Sequence, residues 1–234
     1  MGFVRSLIES STSVICFLKR HRRLPPDLFD GLAKVNLGCG LTTAPGWANI
    51  DGSINALVSS LPGIIQEFAY RFSGARSYYS LEDYRKILTF NKFIHYNLEY
   101  GIPLPDKWAD FVYSSHLLEH LNKKKGETLI KEIFRILKPG GLVRIIVPDL
   151  EFVVGLYNKG EKQRMLEDFF FIEQRGSSFA RHKYMYDFEL LKELLEKAGF
   201  QDVTRFEFQK GRVPDIELLD NQPDVSLYVE AAKI

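Results

Sequence analysis

The chain is expected to fold as one three-layer α/β/α domain on a Rossmann-like, seven-stranded sheet, parallel except for its last strand, with helical cap insertions. Three observations predict this. Short, near-continuous apolar runs alternate with one-face helical stripes, as buried parallel strands covered by helices require. The first run, Ala33 to Leu37, ends in Gly38-Cys39-Gly40, the mark of a buried strand entering a tight turn. At 234 residues and 45% hydrophobic content, the chain can close one sizeable core but is cramped for two.

The elements follow in chain order. Residues 1–30 read as an N-terminal leader helix and residues 31–234 as the domain. Phe3 to Leu18 is an amphipathic helix that packs on the domain. Its basic end, Lys19-Arg20-His21-Arg22-Arg23, offers the alternative of a weak peripheral contact with lipid headgroups or a partner. The apolar stretch Val14 to Leu18 lacks a following cleavage site and falls short of the about 20 apolar residues of a membrane span, so neither a signal peptide nor a span is expected. Pro25 and Pro26 break the leader. Trp47 to Asp51 is a second short strand ending in an acid, and Lys92 to Leu98 a third. Residues 52–91 between them form a helical cap: Ile64, Ile65, Phe68 and Phe72 share one helix face, and Ser80 with Asp83 makes a capping box for the next helix.

Ala109 to Ser115 reads as a fourth strand. The stripe Leu129, Ile130, Ile133, Phe134 and Leu137 forms a helix stopped by Lys138-Pro139-Gly140-Gly141, and Leu142 to Val147 is a buried fifth strand. Residues 150–186 form a second cap, in which Phe169, Phe170 and Phe171 offer either the wall of an acceptor pocket or, the commoner outcome for three consecutive aromatics, core and one partly exposed ring. Asp187 caps a helix with the stripe Leu190, Leu191, Leu194, Leu195 and Ala198, ended by Gly199. Two alternating strands, Asp202 to Gln209 and Val225 to Lys233, close the chain.

The 31 basic and 30 acidic side chains nearly cancel, so no global field favours nucleic acid over a small molecule. The run Lys123-Lys124-Lys125 reads as a solvated helix face. The two cysteines, Cys16 and Cys39, have no metal-ligand spacing and no framework to form, which suits a reducing cytoplasm.

The chemistry gathers around the first turn. Glycines in Asn36-Leu37-Gly38-Cys39-Gly40 permit left-handed backbone and close approach of a ligand, while Asp51, ending the neighbouring strand, can accept from both hydroxyls of a ribose. A nicotinamide fingerprint would need a third glycine where Thr43 stands and an acid further on than Asp51, which weakens a dehydrogenase reading.

The whole set resembles the class I S-adenosylmethionine-dependent methyltransferases, in particular a type 11-like subgroup. The blocks are Val35 to Gly40, Pro45 to Asp51, Asp110-Phe111-Val112-Tyr113-Ser114-Ser115-His116-Leu117-Leu118-Glu119-His120-Leu121 and Arg135 to Gly141, within a resemblance spanning residues 33–200. Two departures stand out: Asn36 replaces the acid common at the start of the glycine motif, and the loop from Gly40 to Trp47 is too short for the usual crossover helix. The resemblance implies S-adenosylmethionine as cofactor, with Asn36, Gly38, Cys39 and Gly40 around its methionine part and Asp51 on the ribose. It further implies Asn97 and Leu98 beside the adenine, and Ser115 and His116 beside the sulfonium. His116 and Glu119 would then face the reaction site.

Methyl transfer from a sulfonium needs alignment and exclusion of water, and no metal is called for. A hydroxyl acceptor also needs its proton removed, for which His116 and His182 are the candidates, while His120, one turn on, caps or packs. The Asn-Pro-Pro-Tyr type of motif is absent after the fourth strand, which disfavours a base nitrogen as acceptor. The resulting expectation is an enzyme methylating a small-molecule acceptor, plausibly a hydroxyl of a sugar or glycan. The alternatives are a non-catalytic S-adenosylmethionine-binding or interaction module and, further off, a nicotinamide oxidoreductase.

Overall fold

The computed structural model describes residues 2–25, 33–171 and 181–234. Its seven strands are β1 (Lys34–Leu37), β2 (Trp47–Asp51), β3 (Lys92–His95), β4 (Ala109–Ser115), β5 (Leu137–Pro148), β6 (Gln201–Phe206) and β7 (Ser226–Ala232). They lie in one sheet in the order β3-β2-β1-β4-β5-β7-β6. Every pair is parallel except the two made by β7, which runs antiparallel to β5 and β6. The expected sheet is therefore present. From β1 the chain extends the sheet through β2 and β3 on one side, then returns to place β4 on the other. A topological switch point lies between β1 and β4, where open α/β sheets bind ligands at the strands' carboxyl ends.

The strands are apolar on both faces because both faces are covered. Val35, Leu37, Ala48, Ile50, Val112 and Val143 join one large core, whereas Trp47, Tyr113, Ile146 and Tyr228 enter a second. The helices are α1 (Gly2–Leu18), α2 (Ile54–Val58), α3 (Gly63–Phe72), α4 (Leu81–Phe90), α5 (Lys123–Ile136), α6 (Leu150–Asn158), α7 (Lys162–Met165), α8 (Phe188–Lys197) and α9 (Ile216–Leu219). Their starts follow the sequence closely. Ser80 Oγ accepts from the Asp83 N–H at 3.1 Å and donates to its carboxylate at 2.7 Å, and Asp187 accepts from the Leu190 N–H at 2.8 Å. Leu129, Ile130 and Ile133 of α5 and Leu191 and Leu195 of α8 are buried against the sheet's core.

Four details differ from the sequence-based expectation. The third strand stops at His95, because Asn97 Oδ1 accepts from the Glu99 N–H at 2.8 Å and opens a single 3-10 turn, Leu98–Tyr100. The fifth strand starts early: Leu137 already pairs with Ala109, and the chain bulges at Gly140, φ +83°, before Leu142 resumes pairing with Phe111. The sixth spans Gln201–Phe206 instead of running on to Gln209, whose φ of +55° takes the chain out of extended backbone. The apolar face of α3 points outward. Ile64, Ile65 and Phe68 are exposed, while Gln66 and Ala69 turn inward, since α3 packs on α2 and α4 instead of on the sheet. Gln66 Nε2 there donates to Ser59 O and Leu61 O, which satisfies its buried amide.

The connection from β1 to β2 is a bare loop, as the departure from the usual crossover predicts, yet it joins two parallel strands in full register. Residues 52–91 form the crossover from β2 to β3, with their own cluster of Val58, Ala69, Ala75, Tyr84 and Leu88 against Phe93. In the stretch 150–186, Val153, Leu156 and Phe169 make a further cluster while Phe170 and Phe171 are largely exposed. Residues 172–180 of that expected cap, and the expected domain boundary at 30/31, lie outside the described residues.

Helix α1 rests on the β3 side of the molecule. Thr12 and Cys16 are buried, Tyr96 donates its hydroxyl hydrogen to Arg20 O at 2.8 Å, and the Leu24 N–H donates to Pro103 O at 2.8 Å. Its outer face leaves Val14, Phe17 and Leu18 exposed. Among the described residues, no helix is long and apolar enough to cross a membrane. Arg144, fully buried, pairs with Asp220 at 2.6 Å and Glu230 at 2.9 Å, which ties the long loop between β6 and β7 to the middle of the sheet.

Candidate active site at the strand ends

The glycine loop and Asp51 meet. The Gly40 N–H donates to Asp51 Oδ2 at 2.9 Å and the Ser53 N–H donates to Oδ1 at 2.7 Å, so the carboxylate is fixed at the end of β2 by two backbone donors. Each oxygen keeps a further lone pair for a ligand hydroxyl. Gly38 and Gly40 both have left-handed backbone, φ +67° and +53°, but for different ends. A Cβ on Gly38 would lie 2.9 Å from Leu117 Cβ, so this glycine lets the turn after β4 press against the loop. A Cβ on Gly40 would meet nothing within 4 Å, so its open side is free for a ligand to approach.

The other expected cofactor residues differ in how free they are to meet a ligand, and Leu98 is buried in the main core. Asn36 is buried and spends its amide on Thr42 O at 2.9 Å and Asn49 Oδ1 at 3.1 Å, bracing the loop from behind. Cys39 is buried, and desolvation pushes its thiol well above the ordinary range, so it is a packing residue with no thiolate character. Asn97 and Leu98 follow β3, whose His95 pairs in register with Asp51, and Gly52 lies against the Asn97 backbone. Ser115 ends β4 and donates to Asn221 Oδ1 at 3.3 Å.

His116 leaves β4 with a φ of +50°, unusual for a residue bearing a side chain, its N–H held by Ile146 O at 2.9 Å. Both ring nitrogens have partners. Nδ1 lies 3.2 Å from Glu119 Oε1 and Nε2 lies 3.1 Å from Ser226 Oγ. With Nδ1–H donated to the carboxylate, Nε2 carries the lone pair and accepts from the serine hydroxyl. Carboxylate, imidazole and hydroxyl thus stand in one line, the arrangement in which an acid orients a histidine toward an O–H.

Glu119 is completely buried in the 3-10 turn Leu118–His120. Burial alone would raise its carboxyl, but the hydrogen bond with His116 and the neighbouring imidazoles outweigh it and hold it below the usual range. The segment carrying His182 is brought in by the main chain: the Lys183 and Tyr184 N–H groups both donate to Glu119 O, at 2.7 and 3.2 Å. His182 Nδ1 sits 2.8 Å from Phe169 O and its ring is 5.2 Å from that of His120. Desolvation lowers the His182 pKa, so the ring is neutral near pH 7.

All nine residues expected at the cofactor, His116 among them, therefore lie on β1, β2 or β4 or on the segments that follow β1, β3 and β4, whereas the other candidate base, His182, comes in from far along the chain. Reading the sequence missed Asn221 and Ser226. Asn221 lies in the loop before β7 and Ser226 opens β7, and no spacing relates either to His116. A cavity of about 230 Å³ between α5 and α8, lined by Glu127, Tyr184 and Leu194 among others, includes none of these residues.

A Rossmann-like sheet with a glycine turn and an acid at adjacent strand ends defines a binder of nucleotide-type cofactors. Residues 61–205 match the family model described as a methyltransferase domain, and the chain belongs to that family, the class I S-adenosylmethionine-dependent methyltransferases. Among curated proteins it is 30% identical over 115 residues to the ubiquinone/menaquinone biosynthesis C-methyltransferase UbiE of Photorhabdus laumondii, covering 44% of this chain and 43% of the relative. The Vibrio cholerae protein of the same name is 29% identical over 123 residues, covering 48% and 45%. The chain thus spans less than half the length of these relatives. A solved S-adenosylmethionine-dependent methyltransferase of Thermotoga maritima shares the fold with a TM-score of 0.51 at 17% identity, covering 89% of this chain and 87% of that one. Enzymes of that family transfer a methyl group from S-adenosylmethionine.

Proposed function

We propose that this methyltransferase acts on a small molecule at a hydroxyl, with the 38–40 turn and Asp51 holding the cofactor and His116 drawing off the acceptor's proton. The observation that carries the reading is the line Glu119 Oε1, His116, Ser226 Oγ beside the glycine turn. The residues present suit the cofactor: Gly40 leaves its Cβ side open, and a carboxylate fixed 2.9 Å from its N–H can accept from ribose hydroxyls. When bound, S-adenosylmethionine supplies an electrophilic methyl, whose bond to sulfur breaks with its electron pair going to sulfur as the acceptor oxygen bonds to carbon. The protein's work is placement. Gly38 and Leu117 set the distance between the cofactor loop and the turn after β4, and His116 Nε2 takes the hydroxyl proton, its imidazolium stabilised by Glu119. An acceptor hydroxyl would take up the position toward Nε2 that the Ser226 hydroxyl now fills.

The curated relatives are C-methyltransferases by name, which favours one second reading: methylation of a carbon made nucleophilic by loss of a neighbouring hydroxyl's proton. The saccharide expected from the resemblance finds no counterpart in those names. The deciding experiment is methyl transfer from S-adenosylmethionine to a panel of saccharides, alcohols and phenols, with the product's methyl position read by mass spectrometry and NMR. His116→Asn should lower kcat by about 10²–10⁴-fold, the range of a general base, while leaving S-adenosylhomocysteine binding intact. Full activity in that variant would remove His116 from the mechanism.

A further inference from the structure

We infer that Glu119, His120 and His182 form a binding site for a divalent first-row transition-metal ion such as Zn²⁺ or Co²⁺, next to the His116 line. One ligand atom from each of the three lies within 4.8 Å of the others. Three features distinguish this cluster from an ordinary ion-pair network.

The first is an orphaned oxygen. Glu119 Oε1 is shared with His116, but Oε2 is buried and, among the described residues, has no hydrogen-bond partner. Leaving a charged oxygen buried and unpaired is costly, and a cation removes that cost. The second is tautomer control. His120 Nδ1 lies 3.2 Å from Arg181 O and His182 Nδ1 lies 2.8 Å from Phe169 O. A carbonyl only accepts, so each ring donates from Nδ1 and presents a bare Nε2. Metal-binding histidines are held in just this manner, with the second nitrogen bonded to a carbonyl or carboxylate. The third is that, among the described residues, no hydrogen-bond partner consumes those lone pairs. The His120 Nε2 to Glu119 Oε1 separation is 3.8 Å, too long for a hydrogen bond.

Two imidazoles and one carboxylate suit Zn²⁺, Co²⁺, Fe²⁺ or Mn²⁺, whereas Mg²⁺ prefers oxygen alone. Bonds of about 2.0–2.2 Å require the three atoms to draw together by side-chain rotation, which half-buried His120 and His182 permit. The three protein ligands leave coordination positions for water or an acceptor oxygen. On the methyltransferase reading, the ion would fix the acceptor beside His116. Binding of the ion does not depend on that reading, so the two can fail separately.

The test is calorimetric titration of the full chain, freed of metal by chelator, with Zn²⁺, Mg²⁺ in parallel, and Co²⁺ followed by its visible d–d bands. Zn²⁺ should bind at one site per chain, Co²⁺ should show bands of a nitrogen–oxygen ligand set, and Mg²⁺ should bind far more weakly. His182→Ala and His120→Ala should each weaken Zn²⁺ binding by more than the roughly 10–100-fold that loss of an outer-shell partner costs, with thermal unfolding showing both variants folded. Glu119→Gln, deeper in the core, is read alongside them. S-adenosylhomocysteine binding is measured on the same samples and should persist in His182→Ala. Zn²⁺ affinity that is unchanged in His182→Ala, or absent from the wild type, overturns the inference, and loss of S-adenosylhomocysteine binding in the wild type would instead strike the cofactor reading.

Discussion

Alanine at Gly38 and at Gly40 should give opposite outcomes. Both glycines have left-handed backbone, where a Cβ costs roughly 1–2 kcal/mol. At Gly40 that is the whole stability cost, since the added methyl meets no atom within 4 Å. At Gly38 the methyl would lie 2.9, 3.0 and 3.1 Å from the Cβ and both Cδ atoms of Leu117, so the turn after β4 must shift, adding about 1–3 kcal/mol of overpacking. Gly38→Ala should therefore lose about 2–5 kcal/mol and Gly40→Ala about 1–2 kcal/mol. At about 2–4 °C per kcal/mol for a chain of this size, the melting temperatures should fall by roughly 10 °C and 4 °C. Ligand binding should rank differently. The Gly40 methyl enters the opening beside Asp51, so Gly40→Ala should show little further stabilisation by S-adenosylhomocysteine while remaining folded. Scanning calorimetry with and without S-adenosylhomocysteine reads both quantities. A Gly40→Ala protein stabilised by the ligand as fully as the wild type would refute the assignment of that opening, and equal destabilisation by the two variants would refute the packing argument.

Other outcomes follow from residues away from the opening. Arg144→Met should cost about 3–5 kcal/mol, because Asp220 is left buried without its cation and Glu230 keeps only the Arg212 side of its pairing; urea titration checks it, and a cost under about 1 kcal/mol would contradict the paired geometry. His95, at the end of β3 and buried against α1, accepts from Lys19 at Nδ1 and donates to Gly52 O at 3.2 Å; desolvation and the Lys19 charge push its pKa down to about 4 from an ordinary 6.5. The folded state thus refuses a proton that the unfolded chain accepts, so its contribution is full above pH 6.5 and drains away as the pH falls toward about 4. Thermal unfolding between pH 7 and 4.5 should show a smaller loss in His95→Asn than in the wild type.

Much of the sheet was legible because its strands are marked twice, by apolar runs and by the glycines and acids that end them. Ala33 to Gly40 and Trp47 to Asp51 carried the proposed cofactor half of the site for that reason. The boundaries that moved were governed by side chains acting on backbone: Asn97 capping a turn after His95, and Gly140 letting the chain bulge while Leu137 already pairs. The outward face of α3 was misread because periodicity shows which residues share a face but not whether a neighbour covers it. The proposed acceptor half was only partly legible. His116 and Glu119 stand three apart on one turn and show in the sequence, whereas His182, Asn221 and Ser226 arrive through main-chain hydrogen bonds and a long loop. Nothing in local spacing announces Glu119 O accepting from Lys183 and Tyr184, yet that contact carries His182 to its place.

The most direct measurement is titration of S-adenosylhomocysteine into the wild type and Asp51→Asn by isothermal calorimetry. Exchanging one carboxylate oxygen for an NH₂ group removes a charged acceptor worth about 2 kcal/mol, so affinity should drop about 30-fold in a protein that still unfolds cooperatively. Equal affinity in the two proteins, or no binding to the wild type, would contradict the claim that the turn at 38–40 and the acid at the end of β2 hold the methyl donor.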